Sequence, residues 1–416
     1  MAKRVLVIGG GVSGLVAAKG LAEGGCHVSL LEAKDRLGGR IFTKEIEGTL
    51  VELGAEFVHG ASKAMQEILQ ETDLEVIDVP DKNRLVKNGQ MKDIDLWERI
   101  GEVIGKIDPR ERDQAFGQWL ERMNFDGESK QMARAFVEGF NASDVRVIGS
   151  HALLRAEYES QQGEGDKQAR VRKGYAALVA RLKDAGTRYN LQVELRARVK
   201  LVKWKQGEVK VVCDDGRNFE SEAAVVTLPL GVLKSGRVIF EPSLVHKVEA
   251  IEQLKFGNVA KLVFVFRNRW WKHAELEGDF GFAHAFEELI PTWWSDSRAP
   301  VLVGWAAGPK GEAMLNMTGT QLKHRGLEIM ARVFRRDVPE IEAELVAYDH
   351  YDWRADSDIG GAYSYIPVNG LDLPKALAAP IEDTLFFAGE ATAMDAQMGT
   401  VSGAIESGLR VVAEIC

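Results

Sequence analysis

The chain has 416 residues, 45% hydrophobic and 28% charged with 42 glycines, the composition of a soluble globular α/β protein too long for one ordinary core. Its net charge of −9 argues against a surface that tracks nucleic-acid phosphates, and there is no run of about 18 apolar residues to offer a membrane span. Cys26, Cys213 and Cys416, an odd count without ligand-like spacing, read as reduced thiols and exclude a disulfide framework or a cysteine-built zinc site.

A first strand is predicted over Val5 to Ile8, and its start by residue 4 leaves no room for a cleavable signal peptide, so a cytoplasmic protein is expected. The strand runs into Gly9, Gly11 and Gly14 of a GxGxxG pattern, followed by a helix with Leu15, Ala18 and Ala22 at helical spacing. Gly24-Gly25 stops that helix, and a second strand, His27 to Glu32, ends on an acid. The first glycine permits a tight turn, the second admits a pyrophosphate to the backbone, and the third lets helix and strand touch. A lone glycine-rich turn occurs in any parallel α/β protein; strand, helix, strand and terminal acid in register select a dinucleotide site. Glu32 lies 18 residues beyond Gly14, where a carboxylate accepts from a ribose 2′-hydroxyl and repels a 2′-phosphate, so FAD or NAD is expected rather than NADP. In LEAKDRLGGR, Lys34 and Arg40 can neutralise the pyrophosphate and Gly38-Gly39 allow close approach, while Arg36 reads as a surface ion-pair residue.

A short strand pair is predicted after Arg40, then VELGAEFVHG, Val51 to Gly60. Ser62 to Glu159 is predicted largely helical, with Trp97, Phe116, Trp119 and Phe136 scattered through it, and the polar stretch Gln161 to Lys173 reads as a loop. A helix from Gly174 to Lys183 precedes strands at Leu191 to Leu195, Val199 to Trp204 and Val209 to Cys213, the last two joined by a hairpin at Gln206-Gly207. Ala223 to Leu228 is a further apolar strand closed by Pro229. The strand-like run KFGNVAKLVFVFRNRWW, Lys255 to Trp271, carries Lys261 in its apolar part, and aromatic density stays high through Trp293-Trp294 and Trp305. From periodicity alone Lys261 reads equally as a lysine snorkelling from an edge strand or as a functional ammonium, whose burial costs several kcal/mol, by order of magnitude, unless it is partnered. Thr384 to Ala388 is a buried strand leading to Gly389-Glu390, a loop and a helix with Val401, Ala404, Ile405, Leu409 and Val412 on one face. That ending is a second strand-to-helix crossover. The fold expected is α/β: a discontinuous Rossmann-like cofactor domain, parallel sheet plus β-meander, from residues 1–62, 168–242 and 369–416, with an interleaved α+β substrate-binding domain from 63–167 and 243–368.

The blocks VIGGGVSG, LEAKDRLGGRIF, LGAEFVHG, VVTLPLGVLK, FGNVAKLVFVFRNRWW, GGAYSYIPV and FAGEAT...GTVSGA span almost the whole chain. They resemble the flavin-dependent amine oxidase family, which includes monoamine oxidases, polyamine oxidases and lysine-specific histone demethylases. The resemblance implies bound FAD, with an amine oxidised to an imine that hydrolyses to a carbonyl product and oxygen reduced to hydrogen peroxide. It implies a small-molecule amine and O2 as partners, while the charge and the lack of a long apolar run point to no nucleic acid and no membrane.

The resemblance also implies roles for single residues. The backbone of Gly54, Ala55 and Glu56 would pass along the flavin ring. Val199 would contact adenine, Gly39 and Arg40 the pyrophosphate, and Gly389 and Glu390 the ribityl-phosphate region, with a solvated loop acid as the alternative for Glu390. Relatives commonly carry arginine where Lys34 stands, which keeps the charge and loses the planar fork. The helix from Gly399 and Val401 would turn its positive end to the flavin pyrimidine ring, favouring negative charge there. Lys261 would reach flavin N5 through a water, and Trp353 would stand beside the flavin or serve as an ordinary core aromatic.

Tyr363 and Thr400 would flank the amine. Thr400 occupies the position of the second cage aromatic of many relatives, and the loop Ala391 to Met398 supplies no replacement. His59 matches the histidine of the GAxWxHG pattern of several polyamine oxidases, with a structural loop histidine as the alternative. Ala362 stands where monoamine oxidases carry the cysteine that bonds the flavin, so the FAD is expected to be noncovalent. Two rival functions remain. An L-amino-acid oxidase would need an arginine clamp for a carboxylate, with Arg155, Arg298 and Arg354 as unplaced candidates. A flavin-bearing interaction protein is permitted by the incomplete cage and opposed by Lys261.

Overall fold

Val5, Leu6, Val7 and Ile8 are between 0% and 3% exposed, which is the burial a parallel strand covered on both faces requires. They form strand β1 (Arg4–Ile8), which runs parallel to β2 (His27–Leu31) on one side and to Ala223–Val226 on the other. Gln192–Glu194 extends the sheet beyond β2 and Leu385–Phe387 extends it beyond 223–226, giving five parallel strands. Between β1 and β2, helix α1 (Val12–Glu23) packs on the sheet against helices Tyr175–Thr187 and Val401–Ile415. The computed structural model describes residues 2–60, 62–87, 90–162, 167–273, 280–394 and 397–416.

Strands Val199–Lys205 and Glu208–Cys213 form the expected antiparallel hairpin, and Asn218–Ser221 and Ile239–Glu241 complete a four-stranded sheet. A seven-stranded sheet takes its strands in the order 345–350, 259–266, 301–307, 292–296, 282–284, 83–87 and 90–93. Its core is aromatic, with Trp270, Trp271, Phe280, Trp293 and Phe334 all at most 3% exposed. Among the described residues no helix is long and apolar enough to cross a membrane.

Two sequence expectations are corrected. The region 62–159 does contain five helices, yet Val76–Asp78, Asn83–Lys87 and Gln90–Asp93 are strands between them, the last two joining the seven-stranded sheet. They are short, polar strands whose partners lie elsewhere in the chain, so local pattern carries little of their pairing. The polar stretch 161–173 is likewise not one loop. Residues 163–166 fall outside the described residues, and Gln168–Val171 is a strand pairing antiparallel with both Val58–His59 and Val76–Asp78.

Candidate active site

The carboxyl ends of the parallel strands open on a cavity of about 710 Å³ that continues between the helical segments and the seven-stranded sheet. Its lining includes Gly9, Gly11, Glu32, Gly39, Arg40, Gly54, Ala55, Glu56, His59, Val199, Lys261, Trp353, Tyr363, Gly389, Glu390, Gly399, Thr400 and Val401. The expected cofactor and substrate residues are thus brought to one space, with Lys34 and Gly14 not among the described lining.

The first part of that space fits a dinucleotide. Gly11 caps α1 with no side-chain bond to the helix N–H groups and with open space where a Cβ would stand, so those N–H groups are free to meet phosphate. Gly14 works from behind: a Cβ there would lie 2.0 Å from the Gly9 carbonyl oxygen, closing the strand–helix contact that holds the turn. Glu32 is 7% exposed and accepts from the N–H of Gly10 at 2.7 Å and of Lys34 at 2.8 Å. Burial raises its pKa, and these two N–H groups and Arg36 oppose that rise. Each carboxylate oxygen retains a second lone pair for a ribose hydroxyl. A Cβ on Gly54 would stand 1.8 Å from the Arg40 carbonyl oxygen, so the chain passes the Trp353 ring only as glycine.

Two charged residues depart from expectation, and a third loses its alternative reading. Lys34 is not among the lining residues; its Nζ lies 2.7 Å from Asp356 and 3.6 Å from Asp358, carboxylates that compete with the pyrophosphate role expected of it. Among the described residues Arg36 makes no ion pair; it donates to the carbonyls of Leu37, Gly39 and Ile41 and lies over the Phe42 ring, bracing the glycine turn from within. Glu390 is no solvated loop acid. At 4% exposure it takes Arg40 at 2.8 Å and the N–H and hydroxyl of Ser364 at 3.2 and 3.0 Å, so Arg40 reaches the cavity already oriented by a buried carboxylate.

Lys261 lies on Val259–Phe266, where all eight residues are buried and the strand runs between 301–307 and 345–350. The edge-strand snorkelling alternative is therefore removed. Its Nζ donates to Glu56 Oε2 at 2.7 Å and to the Gly54 carbonyl at 3.1 Å. Glu56 Oε1 accepts from Arg170 Nε at 2.7 Å and Trp294 Nε1 at 3.0 Å. Burial alone would raise the Glu56 pKa, but the Lys261 and Arg170 charges outweigh it and draw the carboxyl down to about 2. The sequence had suggested only a backbone role for Glu56 and none for Arg170, which sat in a stretch read as loop.

Around the remaining space stand Trp97, Phe136, Phe140, Phe286, Trp294 and Trp305. The Tyr363 hydroxyl donates to the Phe140 carbonyl at 2.8 Å, and its ring lies 3.0 Å from where a Cβ on Gly399 would be. Thr400 also lines the cavity, but its hydroxyl is committed to the N-terminus of Val401–Ile415: it accepts from Gly403 N at 3.0 Å and donates to Gln397 O at 2.8 Å. Residues 395–396 of the adjoining loop lie outside the described residues. Trp353 donates from Nε1 to the Leu53 carbonyl at 3.1 Å and packs at 4.4 Å on Tyr351. His59 packs edge-on to Phe57 and Phe140, and its Nδ1 has no partner among the described residues. Burial pushes the His59 pKa down to about 4, so the ring is neutral at ordinary pH.

Both depressed values act on acid stability in one direction. Glu56 stabilises the fold fully above its unfolded value of 4.5 and loses that contribution as pH falls towards 2; His59 subtracts stability as pH falls from 6.5 towards 4. Glu32 and Glu52, whose pKa values burial raises, oppose this trend, so the test is a difference. In urea unfolding, the gap in midpoint between parent and His59→Gln should change between pH 6.5 and 4, and the gap between parent and Glu56→Gln below 4.5. Gaps independent of pH would mean that neither group titrates as its surroundings dictate.

A family model described as flavin containing amine oxidoreductase matches residues 12–416. Polyamine oxidase 2 of Arabidopsis thaliana is 30% identical, the match covering 99% of this chain and 87% of that protein. Lysine-specific histone demethylase 2 of Homo sapiens is 26% identical over 99% of this chain and 53% of its own length. Among solved structures, putrescine oxidase bound to putrescine superposes with a TM-score of 0.85 at 21% identity, covering 100% of this chain and 99% of that one. Cyclohexylamine oxidase from Brevibacterium oxydans gives 0.84 at 19%, covering 100% and 99%. These two share the fold.

Proposed function

This chain belongs to the flavin containing amine oxidoreductase family, and we propose that it oxidises a primary, secondary or polyamine substrate to an imine, which water hydrolyses to a carbonyl product. As a member of that family it is an oxidoreductase whose cofactor is FAD. Bound FAD would supply the two-electron chemistry, taking a hydride from the amine's α C–H while its N–H gives up a proton, two electrons and two protons in all, which pass to O2 as hydrogen peroxide.

The observation that carries this reading is that Lys261 and Tyr363 line the same cavity as the dinucleotide cradle. Gly11 and the free N–H groups of α1 would hold the pyrophosphate, Glu32 the ribose, and Arg40, oriented by Glu390, the neighbouring negative charge. Tyr363 gives a fixed aromatic face for a neutral amine, and the surrounding tryptophans and phenylalanines exclude water. Phe140 and Trp305, both against Tyr363 or its cluster, supply the aromatic surface that position 400 lacks. Neutral His59 can accept a hydrogen bond from the substrate at Nδ1. Lys261 is assigned to the oxygen half of the cycle, placing positive charge where negative charge builds.

The arginines weighed for an amino-acid carboxylate are engaged elsewhere. Arg298 is bidentate to Asp296, Arg354 is held by Asp352, Leu315 and Asn316, and Arg155 pairs with Glu159. The lining arginines are Arg40, Arg198 and Arg237, bound to Glu390, Asp358 and the Ser357 carbonyl respectively. This favours amines over L-amino acids. The same reading assigns 1–62, 168–242 and 369–416 to the cofactor and 63–167 and 243–368 to the substrate, supported by the parallel sheet drawing its strands from the first set and the seven-stranded sheet from the second.

An aerobic peroxide assay across primary amines, polyamines, N-methylated amines and L-amino acids tests the proposal. Peroxide in step with carbonyl product is expected from one or more amines. Turnover confined to L-amino acids, or peroxide from none, would overturn it. With Ala362 at the position of a flavin-bonding cysteine, acid or heat denaturation should release all the FAD into the supernatant; colour retained by the precipitated chain would mean a covalent bond elsewhere.

A further inference from the structure

We propose that Glu56 and Arg170 form with Lys261 a buried three-charge cluster that holds the Lys261 ammonium in place and leaves one uncompensated positive charge facing the cavity. Both are positioning residues acting through Lys261, and the inference rests on the proposed role of Lys261 in electron transfer to oxygen.

The geometry is that of one carboxylate shared by two cations. The side chains of Lys261, Glu56 and Arg170 are 3%, 5% and 2% exposed, so none is compensated by bulk water. Lysine takes Oε2 and arginine takes Oε1, each at 2.7 Å. Arg170 also lies over the Phe57 ring at 4.6 Å and donates to the Ser295 carbonyl at 3.2 Å, which fixes it behind Glu56; Lys261 lies 5.7 Å over Trp294 on the cavity side. A lysine–glutamate pair alone would be neutral. The second cation makes the cluster net positive.

The surroundings do not cancel that charge. Glu52 is engaged apart from the cluster, accepting from the Tyr175 N–H and the Thr43 hydroxyl, and burial raises its pKa. Arg298 and Asp296 neutralise each other, as do Arg40 and Glu390. Burial keeps His59 and Tyr363 uncharged at neutral pH. A single excess positive charge in a water-excluded wall favours placing electrons on a neighbouring acceptor. The strand pairing that brings Arg170 here, Val58 opposite Ala169 and Ile77 opposite Arg170, has no other evident use for so costly a buried guanidinium.

The test counts charge. The parent cluster carries one net positive charge, Arg170→Met none, and Glu56→Gln with Arg170→Met one again. The midpoint potential of bound FAD should fall in Arg170→Met by at least the equivalent of a tenfold change in equilibrium, about 30 mV for a two-electron couple, and return towards the parent in the double variant. Reoxidation by oxygen should follow the same order. Glu56→Gln alone leaves two buried cations without their shared anion, a net charge of two, and the potential should rise above that of the parent.

Equal potentials in Arg170→Met and the double variant would overturn the inference. If Arg170→Met does not accumulate as folded protein, Glu56→Gln and the double variant decide it, because they differ by one charge at one site: a higher potential in the first supports the cluster, and equal potentials overturn it. Lys261→Met separates this failure from that of the parent reading. Parental reoxidation in Lys261→Met removes the role of Lys261 altogether, whereas slowed reoxidation beside unchanged potentials in the Arg170 variants removes the cluster alone.

Discussion

Lys261→Met should slow reoxidation of the reduced protein by oxygen by at least about tenfold, or ~1.4 kcal/mol in barrier. Methionine keeps much of the side-chain volume in a strand whose eight residues are all buried. The carboxylate of Glu56 remains compensated by Arg170 and Trp294, at 2.7 and 3.0 Å, so the change removes charge at the cavity without leaving an orphaned buried anion. Anaerobic reduction by the amine should fall less, because the donor C–H is positioned mainly by Tyr363 and the aromatic walls. Stopped-flow measurement of the two half-reactions separates the effects. Equal rates of reoxidation in variant and parent would reduce Lys261 to a structural partner of Glu56.

Glu32→Ala should yield protein that purifies largely colourless or regains activity only with added FAD. Two losses combine. The ribose loses a charged acceptor worth roughly 1.5 to 3 kcal/mol, and the N–H groups of Gly10 and Lys34, which Glu32 satisfies at 2.7 and 2.8 Å, lose their partner at the entrance to the glycine turn. Flavin absorbance per protein after extensive dilution reads the occupancy, and thermal unfolding of the apoprotein reads the second loss by itself. Full occupancy at dilute protein would show that the ribose is held elsewhere.

The cofactor half was legible because its signals are local. A buried strand, glycines at fixed spacing and a terminal acid each constrain backbone within a few residues, and β1, α1 and β2 follow them closely. Lys261 was legible as a charge in an apolar run, although periodicity could not decide between an edge strand and an interior one. Only the pairing of 259–266 with two neighbours decides that.

Arg170 was not legible. It lies 114 residues from Glu56, on a four-residue strand whose neighbourhood is polar, and its burial depends on pairing with Val58–His59 and Val76–Asp78, which no local pattern encodes. Lys34 failed for the complementary reason. Its sequence position suited a phosphate, and only the return of Asp356 and Asp358 from the far end of the chain diverts it. The carboxyl of Glu390 is fixed the same way, by Arg40 across 350 residues of chain.

Anaerobic titration of the FAD-loaded protein with the best amine found in the peroxide assay shows whether this cavity oxidises amines with its flavin. The yellow flavin band is expected to bleach with one equivalent of amine per flavin, and admitting air to restore it with release of one equivalent of hydrogen peroxide. A band unchanged by every amine tested, in protein fully loaded with FAD, would contradict amine oxidation at this site.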